Sequence, residues 1–394
     1  MTGPTRRQYL ATVGAAAALA GCFGSDDQGN YDPGGNGGNG GGNGDTGAPG
    51  NRGTDAGTGT TESGGPDGTG SAFPFPTAEE SLPLPTDASA LRGEARSGGP
   101  PKDGIPSIDE PSFAGADGAD FLDDGDPVFG VARDGAIKAY PQKILVQHEI
   151  VNDTLSGDPV AVTYCPLTGT VQGFERGETT FGVSGRLINN NLVMYDRETE
   201  AWWPQVLATS IPGPWNEDPP AVSLREFRLV WTTWGRWRDR YPDTRVLTTD
   251  TGYARNYGRD PYGTYNPKGG YYDARSTLFP RRNPDDRHHP KAVFMGARTP
   301  DGAVAFEKST LLEEGTMTGE LGGTPALAVA DPRLSTGYVY LNPEDREFEH
   351  DGEAVVGADG TEHRPDELPL GRVHTFDAMW FAWSGFYPES NVYA

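Results

Sequence analysis

Short runs of alternating apolar and polar residues dominate the chain from about Ala119 to its C-terminus. The clearest pair, Val128–Arg133 and Ala136–Tyr140, is joined by Asp134-Gly135, a dipeptide that favours the tight turn of a β-hairpin. Further runs rich in β-branched and aromatic residues predict strands at 159–164, 180–184, 192–195, 245–249, 292–297, 326–330 and 338–341. The expected fold is mainly β with a few short helices, a β-rich α+β class.

Helical patterns are fewer and shorter. Thr232 or Thr233 could cap a short helix that ends at Arg240 before a proline. Residues 141–147 predict one helical turn, and residues 377–386 predict a C-terminal helix. No internal repeat is evident in the sequence. Five tryptophans are expected in the core: Trp231, Trp234, Trp237, Trp380 and Trp383.

The first 22 residues predict an export signal with a lipid anchor. The pair Arg6-Arg7 precedes the apolar run Ala11–Ala20, which is a twin-arginine pattern and is too short to span a bilayer. The following Leu19-Ala20-Gly21-Cys22 resembles a lipobox, in which Cys22 is lipidated and becomes the mature N-terminus. We therefore expect the protein on the extracytoplasmic face of the cell membrane, with the membrane as its partner through this lipid.

Two segments separate the signal from the predicted domain. Residues 23–72 are rich in Gly, Asn and Asp, which predicts a disordered tether with a typical span of roughly 35–40 Å. Proline-rich runs predict an extended arm over residues 73–118. Residues 119–394 are then expected to form one large globular domain, although their number would also suffice for two.

The net charge of the chain limits the kinds of molecule that it is expected to bind. The chain of 394 residues has 32 Lys and Arg against 56 Asp and Glu, a formal net charge of −24. This excess argues against binding nucleic acid or an anionic membrane surface. It is typical of a protein adapted to very high salt, where a Debye length of about 3 Å screens the self-repulsion.

Cysteine usage indicates one candidate site. If Cys22 is lipidated, Cys165 is the other cysteine of a protein that faces an oxidising exterior, so no intramolecular disulfide can form. Such a thiol is buried, bound to a metal or reactive. Cys165 ends an apolar strand and precedes a turn whose hydroxyls, on Thr168 and Thr170, are candidate ligand contacts.

His148 is the nearest candidate partner of Cys165. If residues 148–154 and 159–165 pair as an antiparallel hairpin, His148 lies opposite Cys165. The two side chains are then candidate ligands for copper or zinc, with further ligands from elsewhere. Alternatively, Cys165 is a nucleophile, His148 its base and Asn152 or Asp153 the group that orients the base. A buried cysteine beside a structural histidine is the third possibility, and spacing does not choose among them.

A long polar and aromatic stretch follows at 251–286. It is too polar for a core and too aromatic for a disordered linker, so we expect an ordered lid or binding loop. Tyrosine rings beside Arg and Asp suit a sugar, a peptide or another polar ligand, which makes Arg255, Tyr257, Asp260 and Tyr262 candidate contacts. The alternative is an insertion that packs on itself.

Several long motifs occur in order along the domain. They are His148-Glu-Ile-Val-Asn-Asp153, Thr163-Tyr-Cys-Pro-Leu-Thr-Gly-Thr170, Phe181-Gly-Val-Ser-Gly185, Leu192-Val-Met-Tyr-Asp-Arg-Glu-Thr199, Thr232-Thr-Trp234, Arg255-Asn-Tyr-Gly-Arg-Asp-Pro-Tyr262 and Trp380-Phe-Ala-Trp383. Together they resemble the domain-of-unknown-function family numbered three-one-seven-nine, over residues 119–394. The resemblance implies one exported domain and no particular reaction. Many members read Cys-Pro-Leu-Cys, whereas Thr168 stands in place of the second cysteine here, which argues against a dithiol redox couple.

These observations support three hypotheses. The first is a lipid-anchored extracytoplasmic binding or redox protein whose pocket, lined by Cys165 and His148, holds a metal. The second is a cysteine-nucleophile enzyme that uses the same pair. The third is a carbohydrate- or peptide-binding module that uses the loop 253–272. The expected ligand is a small molecule or a surface polymer, and the sequence does not indicate an oligomeric state.

Overall fold

Strands make up most of the regular structure in residues 73–394, the part of the chain that the computed structural model describes. Among these residues the five α-helices are each seven residues long, which confirms the mainly β fold with few short helices. No helix within 73–394 is both long enough and apolar enough to cross a membrane. The predicted signal, the lipidation site at Cys22 and the tether of residues 23–72 lie outside the described residues.

The proline-rich segment 73–118 lies against the rest of the structure. It contains α1 (Ala88–Glu94), β1 (Arg96–Ser97), β2 (Phe113–Gly115) and a 3₁₀ turn at Ala116–Gly118. Phe73 and Phe75 are buried against Trp203, with ring centroids 5.0 and 5.9 Å away. The compact unit therefore extends N-terminally past Ala119, because these aromatic rings complete its core.

The next part of the chain builds a hairpin, a helix and a three-stranded meander. Its elements are β3 (Pro127–Arg133), β4 (Ala136–Pro141), α2 (Gln142–His148), β5 (Ile150–Leu155), β6 (Asp158–Cys165) and β7 (Thr170–Glu175). The predicted hairpin at Asp134-Gly135 is confirmed, and both turn residues have positive φ, 51° and 84°. This is the geometry that the dipeptide favours.

A second group of strands follows, with a short helix. These elements are β8 (Phe181–Ile188), β9 (Asn191–Asp196), β10 (Trp202–Pro204), β11 (Glu226–Phe227), β12 (Val230–Thr233), α3 (Trp234–Arg240) and β13 (Arg245–Leu247). The expected helix ending at Arg240 is present, but Trp231 lies in the strand before it. Thr233 stands at the N-cap without a side-chain capping bond.

The remaining elements run to the C-terminus. They are β14 (Gly263–Tyr265), β15 (Lys268–Gly270), β16 (Val293–Thr299), β17 (Gly302–Glu307), α4 (Lys308–Glu314), β18 (Thr316–Leu321), β19 (Thr324–Asp331), β20 (Thr336–Leu341), β21 (Phe348–His350), β22 (Val355–Gly357), β23 (Glu362–His363), β24 (Gly371–Val373), β25 (Thr375–Met379), α5 (Trp380–Phe386) and β26 (Asn391–Tyr393). The expected C-terminal helix starts at Trp380, since residues 377–379 belong to β25.

The order and length of six elements occur twice. β3 begins at Pro127 and β16 at Val293, 166 residues later, and each element from β3 to β7 has a counterpart of equal length at that interval, from β16 to β20. In both copies the helix follows the hairpin and leads into the meander. The domain therefore contains an internal duplication, and the reading of the sequence as free of internal repeats was wrong.

Each copy is completed by a strand, a helix and a further strand. β12 pairs antiparallel with β3 and β13 pairs parallel with β4. β25 and β26 pair with β16 and β17 in the same senses. We call β3–β7 with β12–β13 the first repeat, and β16–β20 with β25–β26 the second repeat; α2 and α3 belong to the first and α4 and α5 to the second.

A tryptophan packed on a glycine closes each repeat. The Trp237 ring covers Gly130 of β3, and the Trp383 ring covers Gly296 of β16. The indole nitrogens donate to equivalent hydroxyls at 2.9 Å, those of Thr244 and Ser390. All five tryptophans expected in the core are buried.

The repeats pack on each other reciprocally. β25 of the second repeat lies beside β7 of the first, and β12 of the first lies beside β20 of the second. Across this seam the Met379 amide donates to the Thr168 carbonyl at 2.9 Å, and the Arg228 guanidinium donates to the Thr375 carbonyl at 2.7 Å. Reciprocal contacts of this kind are expected for two similar units related by an approximate twofold axis.

We predict that Gly130→Ala and Gly296→Ala each destabilise the protein by about 1–3 kcal/mol, because the added methyl group overlaps an indole ring that has no room to move. Gly115→Ala is the matched control, since a Cβ at this strand glycine meets nothing within 4 Å. Chemical denaturation followed by tryptophan fluorescence measures the change. Equal midpoints for all three variants would contradict the role assigned to the glycine and indole contact.

Candidate functional site

Cys165 is sealed at the end of β6. Its side chain is 1% exposed and lies 3.5 Å from the Asn190 carbonyl. Burial, and after it the charge of Glu149, raises the pKa of the thiol to about 11. The thiol is therefore neutral near pH 7, which is the opposite of the activation that a nucleophilic cysteine requires.

His148 does not join Cys165. The predicted hairpin register is confirmed, with Ile150 opposite Thr163, but α2 continues to His148, so this residue belongs to the helix rather than to the strand. No hydrogen bond links its ring to the thiol within residues 73–394. The expected catalytic or metal-binding pair is therefore not formed, because the backbone turns between the helix and the strand.

Both ring nitrogens of His148 already have partners. Nδ1 donates to the Pro106 carbonyl at 2.8 Å, and Nε2 accepts from the Tyr257 hydroxyl at 2.8 Å. Burial, with a smaller effect of the Arg255 charge, lowers the pKa of His148. A neutral histidine with this tautomer fits both bonds. His148 thus anchors the loop 253–272, which we call the tyrosine-rich loop.

Asn152 has a structural role. Its amide donates to the Asp109 carboxylate at 2.6 Å and to the Phe181 carbonyl at 2.9 Å, and its oxygen accepts from the Phe181 amide. These bonds join β5 to β8 and to the N-terminal segment. The side chain therefore does not orient His148, as the nucleophile hypothesis required.

Thr168 and Thr170 belong to a buried network. Their hydroxyls are 2.9 Å apart, Thr170 donates to Gln205 at 2.6 Å, and the Asn191 amide donates to both threonines. Both threonine side chains are fully buried. Their polar groups satisfy one another, so they do not present free hydroxyls to a ligand.

The candidate residues of the tyrosine-rich loop hold it against the protein. Asp260 accepts from Gln142 and Tyr272, each at 2.8 Å, and from the Tyr262 backbone amide. Tyr257 lies between His148 and the Thr251 hydroxyl. The loop is ordered, as expected. The side chains of Asp260 and Tyr257 anchor it to the protein and do not form an open binding surface.

A cluster of other polar groups surrounds Cys165. Glu149 and Lys291 both interact electrostatically with the thiol, as do Tyr262 and Tyr271 of the loop. Glu149 is 7% exposed and Lys291 is 1% exposed. We call these five residues the Cys165 cluster. Glu149 belongs to the motif His148-Glu-Ile-Val-Asn-Asp153 of the sequence analysis. Nothing in the sequence around Lys291 indicates that it lies near Cys165.

The carboxyl group of Glu149 makes no hydrogen bond with the described residues, and burial raises its pKa to about 8. Its backbone has φ of 60°, a left-handed conformation that favours glycine. The equivalent residue of the second repeat is Gly315, with φ of 80°. A strained, buried glutamate in place of glycine is typical of a functional position.

Cys165 also differs from its counterpart. The equivalent position in the second repeat is Asp331, whose carboxylate accepts from the backbone amides of Arg333 and Leu334 and so closes the turn. A thiol cannot replace those two bonds with comparable strength. The two members of the Cys165 cluster that belong to the first repeat, Cys165 and Glu149, are therefore not repeated in the second, where Asp331 and Gly315 stand.

A cleft of about 520 Å³ lies at the seam between the repeats. Its polar lining residues from the two repeats and the loop are Thr232, Thr233, Arg236, Asn266, Lys268, Lys308, Ser309, Ser335 and Asp377. Tyr265 and Trp231, with ring centroids 4.5 Å apart, provide an aromatic wall. Burial, and after it the neighbouring charge of Lys308, lowers the pKa of Lys268. The tyrosine-rich loop thus reaches this cleft through residues that the sequence did not single out.

No group of three or more His, Cys, Asp or Glu side chains converges on a common point within residues 73–394. Cys165 and His148 were the predicted ligands for copper or zinc, and within the described residues neither belongs to such a group of three. The geometry therefore does not supply the further ligands on which that hypothesis depended.

We predict that the native protein reacts with iodoacetamide at pH 8 more than about 100-fold more slowly than the unfolded protein, because burial both shields Cys165 and raises its pKa to about 11. Mass spectrometry of the peptide that contains Cys165 follows the reaction. Comparable rates in the two states would show an accessible, activated thiol instead.

We predict that the wild-type protein loses stability relative to Glu149→Gln as the pH rises from about 4.5 to 8. Its folded state keeps Glu149 protonated up to a pKa of about 8, while the unfolded state releases that proton at its ordinary pKa. The contribution of this group is up to about 1.4 kcal/mol per pH unit. Glu149→Gln should remove it, as measured by denaturation at a series of pH values.

The control for this experiment is Glu389→Gln, which changes an exposed side chain. It should leave the pH profile of unfolding as it is in the wild type. A Glu149→Gln profile that is parallel to the wild type would mean that the carboxyl group is already ionised in the fold.

Comparison with known proteins identifies the family. A family model described as a protein of unknown function, DUF3179, matches residues 102–390. Neither the curated proteins nor the solved structures contain a match to the chain. The matched range covers the first repeat, the tyrosine-rich loop, the Cys165 cluster and the second repeat up to the start of β26. The chain therefore belongs to the DUF3179 family.

Proposed function

We propose that the protein is a lipid-anchored, extracytoplasmic binding protein that holds a small organic acid in the cleft between its two repeats. The anchor follows from the twin-arginine pattern and Cys22. The observation that carries the binding role is the composition of the cleft, which combines an aromatic wall with three cationic side chains in a strongly acidic protein.

The charges of the cleft favour an anion. Lys308 is paired with Asp377, and Arg236 donates to the carbonyls of Pro332 and Arg333. Lys268 donates to the Lys291 carbonyl at 3.0 Å and has no carboxylate partner within residues 73–394. The charge of Lys308 disfavours the ammonium form of Lys268. An anionic group placed between these two lysines would therefore be stabilised.

The rest of the lining favours an organic body rather than an inorganic ion. Tyr265 and Trp231 lie on one side, and Pro127, Val293 and Leu312 add apolar surface. A volume of about 520 Å³ suits a compact molecule such as an acidic sugar or an aromatic acid. The proposed binding role lies at the end of the tyrosine-rich loop, and it is closer to the hypothesis of a binding module than to that of a metal-binding protein or a cysteine enzyme.

The test is a comparison of matched ligands in molar salt. Glucuronate and benzoate should raise the unfolding temperature and bind measurably by calorimetry, whereas glucose and benzamide should not. Lys268→Gln should weaken binding of the acid by about 10-fold or more, since a charge-assisted hydrogen bond contributes about 1.5–3 kcal/mol.

Lys102→Gln is the matched control, because Lys102 pairs with Glu200 away from the cleft. It should leave the affinity unchanged. Equal binding of acids and neutral analogues, or an affinity that does not respond to Lys268→Gln, would reject the proposed ligand class.

A further inference from the structure

Lys291 differs from the other five lysines of the chain, all of which lie within residues 73–394. Lys102, Lys138, Lys143 and Lys308 each form an ion pair with a carboxylate. Lys268 donates to a backbone carbonyl. The Nζ atom of Lys291 has no hydrogen-bond partner, although its side chain is 1% exposed.

Two aromatic rings lie over the ammonium group of Lys291, but they only partly replace the hydrogen-bond acceptors that it lacks. Nζ of Lys291 lies 3.2 Å from the ring centroid of Tyr271 and 4.7 Å from that of Phe381. Contacts of a cation with aromatic faces offset only part of the free energy that is needed to remove an ammonium group from water. The surroundings therefore favour the neutral amine.

The acidic neighbours in the Cys165 cluster do not reverse this preference. The pKa of Cys165 is about 11 and that of Glu149 about 8, so both groups remain protonated near pH 7. Burial in turn lowers the pKa of Lys291 to about 7. A buried amine without a counter-ion is a nucleophile at neutral pH, as in lysines that form Schiff bases.

We propose that Lys291 is a carbonyl-reactive residue that captures a small aldehyde as an imine within the Cys165 cluster. The lone pair of Nζ attacks the carbonyl carbon and forms the C–N bond. The carbonyl oxygen leaves as water with the two hydrogens of the amine, and a C=N bond remains. The step needs no oxidant or reductant.

The backbone of Lys291 lies beside the cleft at the seam between the repeats. Ala292, the next residue, lines the cleft at the seam, and the Lys291 carbonyl accepts from Lys268 of the same cleft. The cover over Nζ is formed by Tyr271 of the tyrosine-rich loop and by α5. Access of a small molecule to the amine therefore requires displacement of the Tyr271 ring. This activity is independent of the organic-acid ligand proposed above.

The experiment is reductive trapping on the full chain. Folded protein is incubated with propanal and cyanoborohydride at pH 7, and peptide mass spectrometry quantifies propylation at each lysine. The other five amines are held by a carboxylate or a backbone carbonyl, which favours their protonated form and slows their reaction. We expect Lys291 to be modified at least about 10-fold faster than each of the other five lysines.

Two variants make the result specific. Lys291→Met keeps the length of the side chain and should abolish the fast modification, and Lys291→Arg should do the same while retaining a cation. Lys102→Met, outside the cluster, should leave the rate at Lys291 unchanged. Circular dichroism and denaturation establish that each variant is folded.

Modification of Lys291 no faster than that of the other lysines, or only after unfolding in urea, would overturn the proposal. Acid binding in the cleft is measured on the same Lys291→Met protein. Retention of that binding with loss of propylation would separate the two sites, so failure of either proposal is recognised without the other.

Discussion

Each repeat is held together by an indole ring that packs on a glycine of its first strand. At Gly130 and Gly296 the ring of a helix-borne tryptophan lies directly on the first strand, which brings the helix onto the sheet. The strand after the helix can then add in parallel beside the second strand of the hairpin. Any side chain at either glycine would separate helix from sheet. The cleft and the seam depend on this contact, since they lie between elements that it positions.

Duplication followed by divergence explains why the two repeats have different chemistry. The same backbone position after the helix holds Glu149 in one repeat and Gly315 in the other, and both have positive φ. Glycine adopts that conformation without strain, while a buried glutamate adds both strain and desolvation. The first repeat retains this strain and this buried carboxyl group, and the second does not. That difference is expected if the first repeat contributes to a functional site. Lys291 completes it from the segment that precedes the second repeat.

Local patterns predicted the elements well. The Asp134-Gly135 turn and the register that places Ile150 opposite Thr163 were correct because hairpins are encoded by short-range alternation and turn residues. The same register was wrong about His148, since a helix that ends at this residue interrupts the strand pattern. The duplication was missed because its two copies share element lengths but few residues beyond the glycine and tryptophan that pack together in each.

The sequence by itself determined the β-rich class, the family and the presence of an ordered tyrosine-rich loop, because these follow from alternation, turns and motifs within short stretches. The tertiary structure decided which side chains share a buried environment. Cys165 and Lys291 meet through packing of segments more than a hundred positions apart, and no local pattern records that contact. Whether a thiol, an acid or an amine is charged depends on how completely those distant segments exclude water, which is a property of the assembled fold.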